Sequence, residues 1–426
     1  MYSINSLQHI LTQSTGTVWN FYHDEKLGIC YSTLSRKNSW NNPVSLYKNA
    51  HTAFYADIDQ DDRFHLLFQD LKGNIIYEKL DSENFVTIPV LNSKVPAVYD
   101  KHFHIIPLKN NVFLFYVLQH ESSPFIACQV IADGKAENPK VIDYVTNSSQ
   151  PCAVIKDKSS NFYAFYQSSD GKFLQLGYKK YSFELKRWSD FTPVTKYAGN
   201  CEFPKVICDN RDIIHMCYQR QNQRQYELVY QQKVPDKNLW SNEVIVHTSA
   251  HSFDNLSVLS VNDNIIVYWV REDTIFYNTG TQAGSSWSKP SRYSFPVGRQ
   301  LVCLHYATNN IYEADKIAVH DIPGCFIGGL KMAFYQPQTD SPENLTAEDL
   351  KNLILESLKL LKANVEELKD GEQAIRGELN KLGAAQQELG KELVKTNVKV
   401  DMLETQISQL KALVNRLEAK RADAPP

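Results

Sequence analysis

The sequence predicts an all-β propeller, with seven four-stranded blades expected and six as the alternative, followed by a long α-helical coiled-coil stalk. Three observations carry that expectation. A short apolar–aromatic run recurs roughly every 49 residues through the first three quarters of the chain. All 49 aromatic residues lie at or before Tyr335. Beyond that point Leu, Val and Ile repeat with 3-4 spacing over nine heptads, the pattern of a coiled-coil seam.

The recurrent runs are Trp19-Asn20-Phe21-Tyr22, His65-Leu66-Leu67-Phe68, Phe113-Leu114-Phe115-Tyr116, Tyr163-Ala164-Phe165-Tyr166, His215-Met216-Cys217-Tyr218 and Ile266-Val267-Tyr268-Trp269, with a weaker seventh ending near Val319. An acidic or Asn-rich turn precedes several of them, as at residues 57–62, 209–212 and 262–264. A further strand-like segment then ends in Tyr31, Tyr77, Tyr178, Tyr230 or Tyr277. Trp40, Trp188, Trp240 and Trp287 each open a polar closing segment. Short runs rich in β-branched and aromatic residues, bounded by turn formers, read as antiparallel strands. Four such strands in 45–50 residues make a propeller blade. One sheet cannot bury both of its faces, whereas stacked neighbours cover them, so the repeated aromatics are expected between blades. His65 and His215 share one repeat position and are expected to be structural. The last unit lacks a Trp-Ser closing strand and needs completion by residues 331–335 or by the N-terminus.

Charge narrows the partners. The formal net charge is −3. The first 335 residues carry 32 basic and 32 acidic side chains, and the tail carries 13 and 16. A head without a basic stripe argues against nucleic acid, which is bound by clustered Lys and Arg. The first residues have neither a basic region nor an apolar core of a signal peptide, and no window is long enough to span a bilayer. Cytoplasmic synthesis is therefore expected, with a final location at a surface or in an exterior particle still open. The eight cysteines lack CxxC or CxxH spacing and are expected to be reduced, buried hydrophobes.

By residue type and order the units resemble the sialidase-like (Asp-box) propeller repeats, over residues 5–335. Ser168-Ser169-Asp170-Gly171 approximates the Asp-box, whose full Ser/Thr-x-Asp-x-Gly-x-x-Trp form does not occur. The resemblance implies the fold. Its activity would require three convergent arginines, a Tyr/Glu nucleophile pair and an acidic general acid. Of the nine arginines before residue 336, only Arg299 falls at the start of an innermost strand. The expectation is therefore a non-catalytic head, with a two-carboxylate glycosidase as the enzymatic alternative.

No cofactor is expected, because phosphate loops, HExxH motifs and nucleophile elbows are absent. No metal is expected either. Asp57, Asp59 and Asp61 have calcium-loop spacing, but Asp62 and Phe68 stand where that loop needs Gly and Glu. His102 and His104 would share a strand face, with no third ligand evident. Loops leading into the innermost strands ring a propeller's channel mouth. Here they supply His51, Tyr99, Gln150, Glu202, Phe203, His251, Phe253, Asp254, Arg299 and Gln300. Amide, imidazole, carboxylate and aromatic groups together suit a polyhydroxylated ligand.

Residues 1–335 are read as the head, 336–346 as a linker, 347–421 as the stalk and 422–426 as a disordered tail. The apolar seam is Leu358, Leu361, Val365, Leu368, Ile375, Leu379, Leu382, Leu389, Leu393, Val400, Leu403, Ile407, Leu410, Val414 and Leu417. Glu372, Gln386 and Thr396 interrupt it. Nine heptads make a rod of about 95 Å, which must bury its seam against another copy, as a dimer or trimer. Gly371, Gly377, Gly383 and Gly390 soften its first half. The function expected is a homo-oligomeric, multivalent binding protein for a glycan or surface polymer. The alternative is a scaffold that docks protein partners.

Overall fold

The computed structural model describes residues 3–336, apart from 36–38, 82–83, 94–98, 109, 122, 236–238, 273, 282–283, 285, 296–300 and 327–328. In the tail it describes residues 369, 373, 376–377, 380–409 and 411. The chain divides into two compact units, Met1–Ser341 and Pro342–Pro426.

The first unit is built from antiparallel meanders in chain order. Ala50–Ile58, Phe64–Asp70, Ile75–Asp81 and Asn84–Leu91 form one four-stranded sheet, and Cys201–Cys208, Ile214–Asn222, Gln225–Lys233 and Val244–Ser249 form another. Three five-stranded sheets elaborate this plan and one sheet has seven strands, giving six among the described residues. The recurrent aromatic run is the second strand of its meander, and it is buried almost throughout, as in Phe64–Asp70. Six apolar clusters lie between successive sheets. One joins Leu67, Tyr77 and Ile88 to Ile105, Leu114 and Tyr116. Another joins Ile10 and Leu304 to Leu259 and Tyr268 and so closes the ring. This is a β-propeller arrangement, with its core distributed among the blade interfaces as the repeat requires.

Two local devices recur. Ahead of the aromatic run, an aspartate folds the chain back on itself. Asp59 Oδ1 accepts the N–H groups of Asp61 and Arg63, and Oδ2 accepts from Arg63 Nε at 2.7 Å. His65 Nε2 sits 3.1 Å from the same oxygen, and its Nδ1 meets the Tyr77 hydroxyl at 2.6 Å. Asp209 repeats the arrangement with Arg211, Ile213 N–H, His215 and, beyond it, Tyr230. His65 and His215 are therefore held as parts of a turn. At the blade's end, Ser189, Ser241 and Ser288, each following a Trp, donate backbone N–H groups to Lys180, Gln232 and Thr279. Their hydroxyls accept the N–H groups of those same residues. Each Trp then lies on the preceding blade: Trp188 against Phe115, Trp240 against Phe165 and Trp287 against Tyr230.

The last unit departs from the expected four-stranded form. Its strand Val302–Thr308 pairs antiparallel with Asp321–Cys325, which pairs with Lys331–Met332. Its other edge pairs in parallel with Ser3–Thr12, so that these strands and the first blade make one seven-stranded sheet. Both completions anticipated for this unit thus contribute to it. The segment near Val319 is not its aromatic strand, because Ile317–Val319 joins the preceding blade beside Ser257–Val261. The eight cysteines are buried or half-buried, and burial pushes Cys128 and Cys152 up to about 12.

Residues 380–409 of the second unit are helical. Leu382, Leu389, Leu393, Val400, Leu403 and Ile407 are exposed along it. The seam positions Leu358, Leu361, Val365, Leu368, Ile375, Leu379, Leu410, Val414 and Leu417 lie outside the described residues, as does the interrupting Glu372. Among the described residues, no helix is long and apolar enough to cross a membrane.

Candidate functional site: the central cavity

The innermost strands surround a cavity of about 680 Å³. The pairing register decides what faces it. The penultimate residue of each aromatic run pairs with one inner-strand residue: Phe21 with His9, Leu67 with Tyr55, Phe115 with His104, Phe165 with Ala153, Cys217 with Lys205 and Tyr268 with Ser257. In the last unit His305 stands opposite Asp321. Of these, Tyr55, His104, Ala153, Lys205, Ser257, Tyr268 and Asp321 border the cavity, and His9 and His305 pack directly behind Tyr55.

The result is a dense titratable cluster at the cavity base. Tyr55 Oη lies 3.2 Å from His305 Nε2, and its ring is 4.6 Å from that of His104. His104 stacks on His320 at 5.5 Å. His320 Nδ1 donates to Asp321 Oδ1 at 2.8 Å, and Lys205 Nζ donates to Oδ2 at 2.9 Å. Tyr268 donates to the Asp321 carbonyl at 2.9 Å. Burial holds His9 down to about 3 and pushes His104 and His305 well below the usual histidine range. Burial also opposes the Asp321 charge, but His320 and Lys205 outweigh it and hold the carboxyl well below its usual range. At Asp57, two residues beyond Tyr55, burial outweighs the Ile58 N–H, Lys156 and His320 and pushes the carboxyl up to about 6.

The loops read as the channel mouth divide into two groups. His51 and Gln150 border the cavity, beside Thr52, Asp100, Ser149 and Asn255. Tyr99 and Phe253 instead serve a clamp between blades, and Glu202 pairs with Gln219 inside its own blade. The glutamine that follows the aromatic run reaches the loop leading into a neighbouring inner strand. Gln69 donates to the Tyr99 carbonyl, Gln167 to the Cys201 carbonyl and Gln219 to Glu202, while Gln219 Oε1 accepts the Phe253 N–H. Phe253 is buried against Trp269. Asp254 accepts the Val270 N–H through its carbonyl, and His251 is exposed. Phe203 holds a left-handed backbone at φ 55°. Arg299 and Gln300 lie outside the described residues.

Among the described residues, no arginine borders the cavity. Arg63 and Arg211 serve the aspartate turns, and Arg220 is committed to Glu227 and Glu243. Among the described residues, His305, His320 and Asp321 form one group that could hold a metal ion.

No family model and no curated protein matches the chain. Solved structures do match. An ulvan lyase of a new polysaccharide lyase family, bound to -[GlcA(1-4)Rha3S]-, superposes with a TM-score of 0.50 at 11% identity, over 82% of this chain and 98% of that one. The six-bladed fucose-binding propeller lectin of Aleuria aurantia gives 0.41 at 12% identity, over 69% and 98%. At such identity the likeness to the lyase speaks for the fold alone.

Proposed function

We propose that the chain is a homo-oligomeric recognition protein that binds a glycan or a similar polyhydroxylated surface polymer in its central cavity, with its C-terminal helix assembling several heads. The observation that carries this reading is the cavity lining. Short hydroxyl and amide side chains (Thr52, Ser149, Gln150, Asn255 and Ser257) stand beside aromatic walls from Tyr55, Phe103 and Tyr268. Planar polar groups can hydrogen-bond hydroxyls while ring faces cover C–H surfaces. No two blades contribute the same residues, which suits one asymmetric ligand. The test is a glycan array probed with the full chain. Binding that falls at least tenfold in Gln150→Ala and His51→Ala is expected, and a folded chain that binds no glycan sinks the reading.

One observation favours hydrolysis as a second reading. Asp57 and Asp321 both act electrostatically on Tyr55, and their surroundings push them apart, Asp57 up to about 6 and Asp321 well down. Divergent carboxyl groups are the raw material of general acid–base chemistry at a glycosidic bond. Turnover of an aryl glycoside panel, lost in Asp57→Asn, would replace binding by catalysis. No turnover with the panel would leave binding alone.

A further inference from the structure

We propose that the cavity base is a metal site, in which His305, His320 and Asp321 bind a divalent ion of the zinc class and leave one coordination position open to the cavity. The inference does not depend on what the cavity binds. One ligand atom from each residue lies within 4.8 Å of the others. Tetrahedral zinc, about 2.1 Å from each ligand, needs donor atoms roughly 3.4 Å apart, a gap that side-chain rotation can close.

The orientation of the His305 imidazole is a second argument. A metal-binding histidine characteristically commits its other ring nitrogen to a carbonyl or carboxylate, which fixes the tautomer and aims the lone pair. His305 Nδ1 faces the His320 carbonyl at 3.0 Å, and His320 Nδ1 faces Asp321 Oδ1 at 2.8 Å. His305 Nε2 is thereby left for a ligand and meets the Tyr55 hydroxyl, 3.2 Å away, whereas His320 would offer Nδ1, exchanging its proton on Asp321 for the ion and carrying the proton on Nε2. His305 is buried. His320, with 36% of its side chain exposed, has room to turn. Lys205 Nζ sits against Asp321 Oδ2 as a counter-cation, so an arriving ion exchanges for the ammonium there. His104 and Tyr55 wall the open position. The sequence offered His102 and His104 as a pair without a third ligand; His104 reaches the cluster, but the ligands come from the last unit.

Cobalt(II) is the probe, because its tetrahedral complexes have intense visible bands. The full chain is stripped with a chelator, titrated with cobalt, and followed by absorption and thermal melting. One ion per chain, tetrahedral bands and a raised melting temperature are expected. His320→Ala should weaken binding at least 30-fold while its metal-free melting stays close to wild type, and His102→Ala should bind as wild type does. Lys205→Met, which removes the competing cation, should bind at least as tightly. Absence of bands in the wild-type chain, or unchanged binding in His320→Ala, overturns the site.

Discussion

At the scale of single residues, the same side-chain type performs opposite tasks in different blades. His65 and His215 are consumed by aspartate turns, whereas His104, His305 and His320 gather at the channel. The first role was legible from the shared repeat position. The second was not, because inner-strand residues differ from blade to blade and only the pairing register brings them together. Asp209 is the sharper test of the turn. Asp209→Ala removes a fully buried carboxylate from Arg211, His215 and two N–H groups and should cost about 3 kcal/mol in chemical denaturation. The buried histidines also set a pH response. His9 is held at about 3 in the folded chain against 6.5 in the unfolded one, so the unfolded state takes up the proton first. Stability is complete above 6.5 and falls as pH drops from there toward 3, by about 1.4 kcal/mol per unit for each such group. His104 and His305 add to the loss, and Asp57, whose folded value is raised to about 6, offsets part of it. Melting temperatures in chelator should fall steadily between pH 6.5 and 4, with a shallower slope in His9→Gln. A flat profile would contradict these burial effects.

At the scale of elements, the repeat was readable because every blade solves the same burial problem. The run, the aspartate turn and the Trp-Ser closure recur at fixed offsets, and each has a visible partner: the neighbouring sheet, its own turn N–H groups, and the strand nine residues earlier. Trp240, which covers Phe165 and Tyr178 of the adjacent blade, should cost about 3 kcal/mol when replaced by Ala, measured as a shift in denaturation midpoint. What the repeat could not reveal was the last unit. Its pairing to Ser3–Thr12 is parallel and spans nearly the whole first unit, and no local pattern specifies such a contact. Gln69 and Gln167 were missed for a related reason: their partners are backbone carbonyls, which every residue carries.

At the scale of the whole molecule, the tail's apolar stripe has no aromatic, Cys or His and is exposed in the single chain at Leu382, Leu389, Leu393, Leu403 and Ile407. That exposure is what self-association would remove. Light scattering should give a multiple of 48.8 kDa for the full chain, a monomer for residues 1–341, and dissociation in the double variant Leu389→Asp/Leu403→Asp. A monomeric full chain would refute the oligomer. The parallel pair that completes the ring has a different kind of consequence, one of timing. Ser3–Thr12 leaves the ribosome roughly 300 residues ahead of its partner Val302–Thr308, some 15 to 60 s at ordinary synthesis rates. Throughout that interval the first strand presents an unpaired edge, and neighbouring nascent chains carry the same one. Ribosomes that finish this protein close together on one message therefore risk exchanging first strands between chains, a hazard that slow initiation or a chaperone on the N-terminus would relieve.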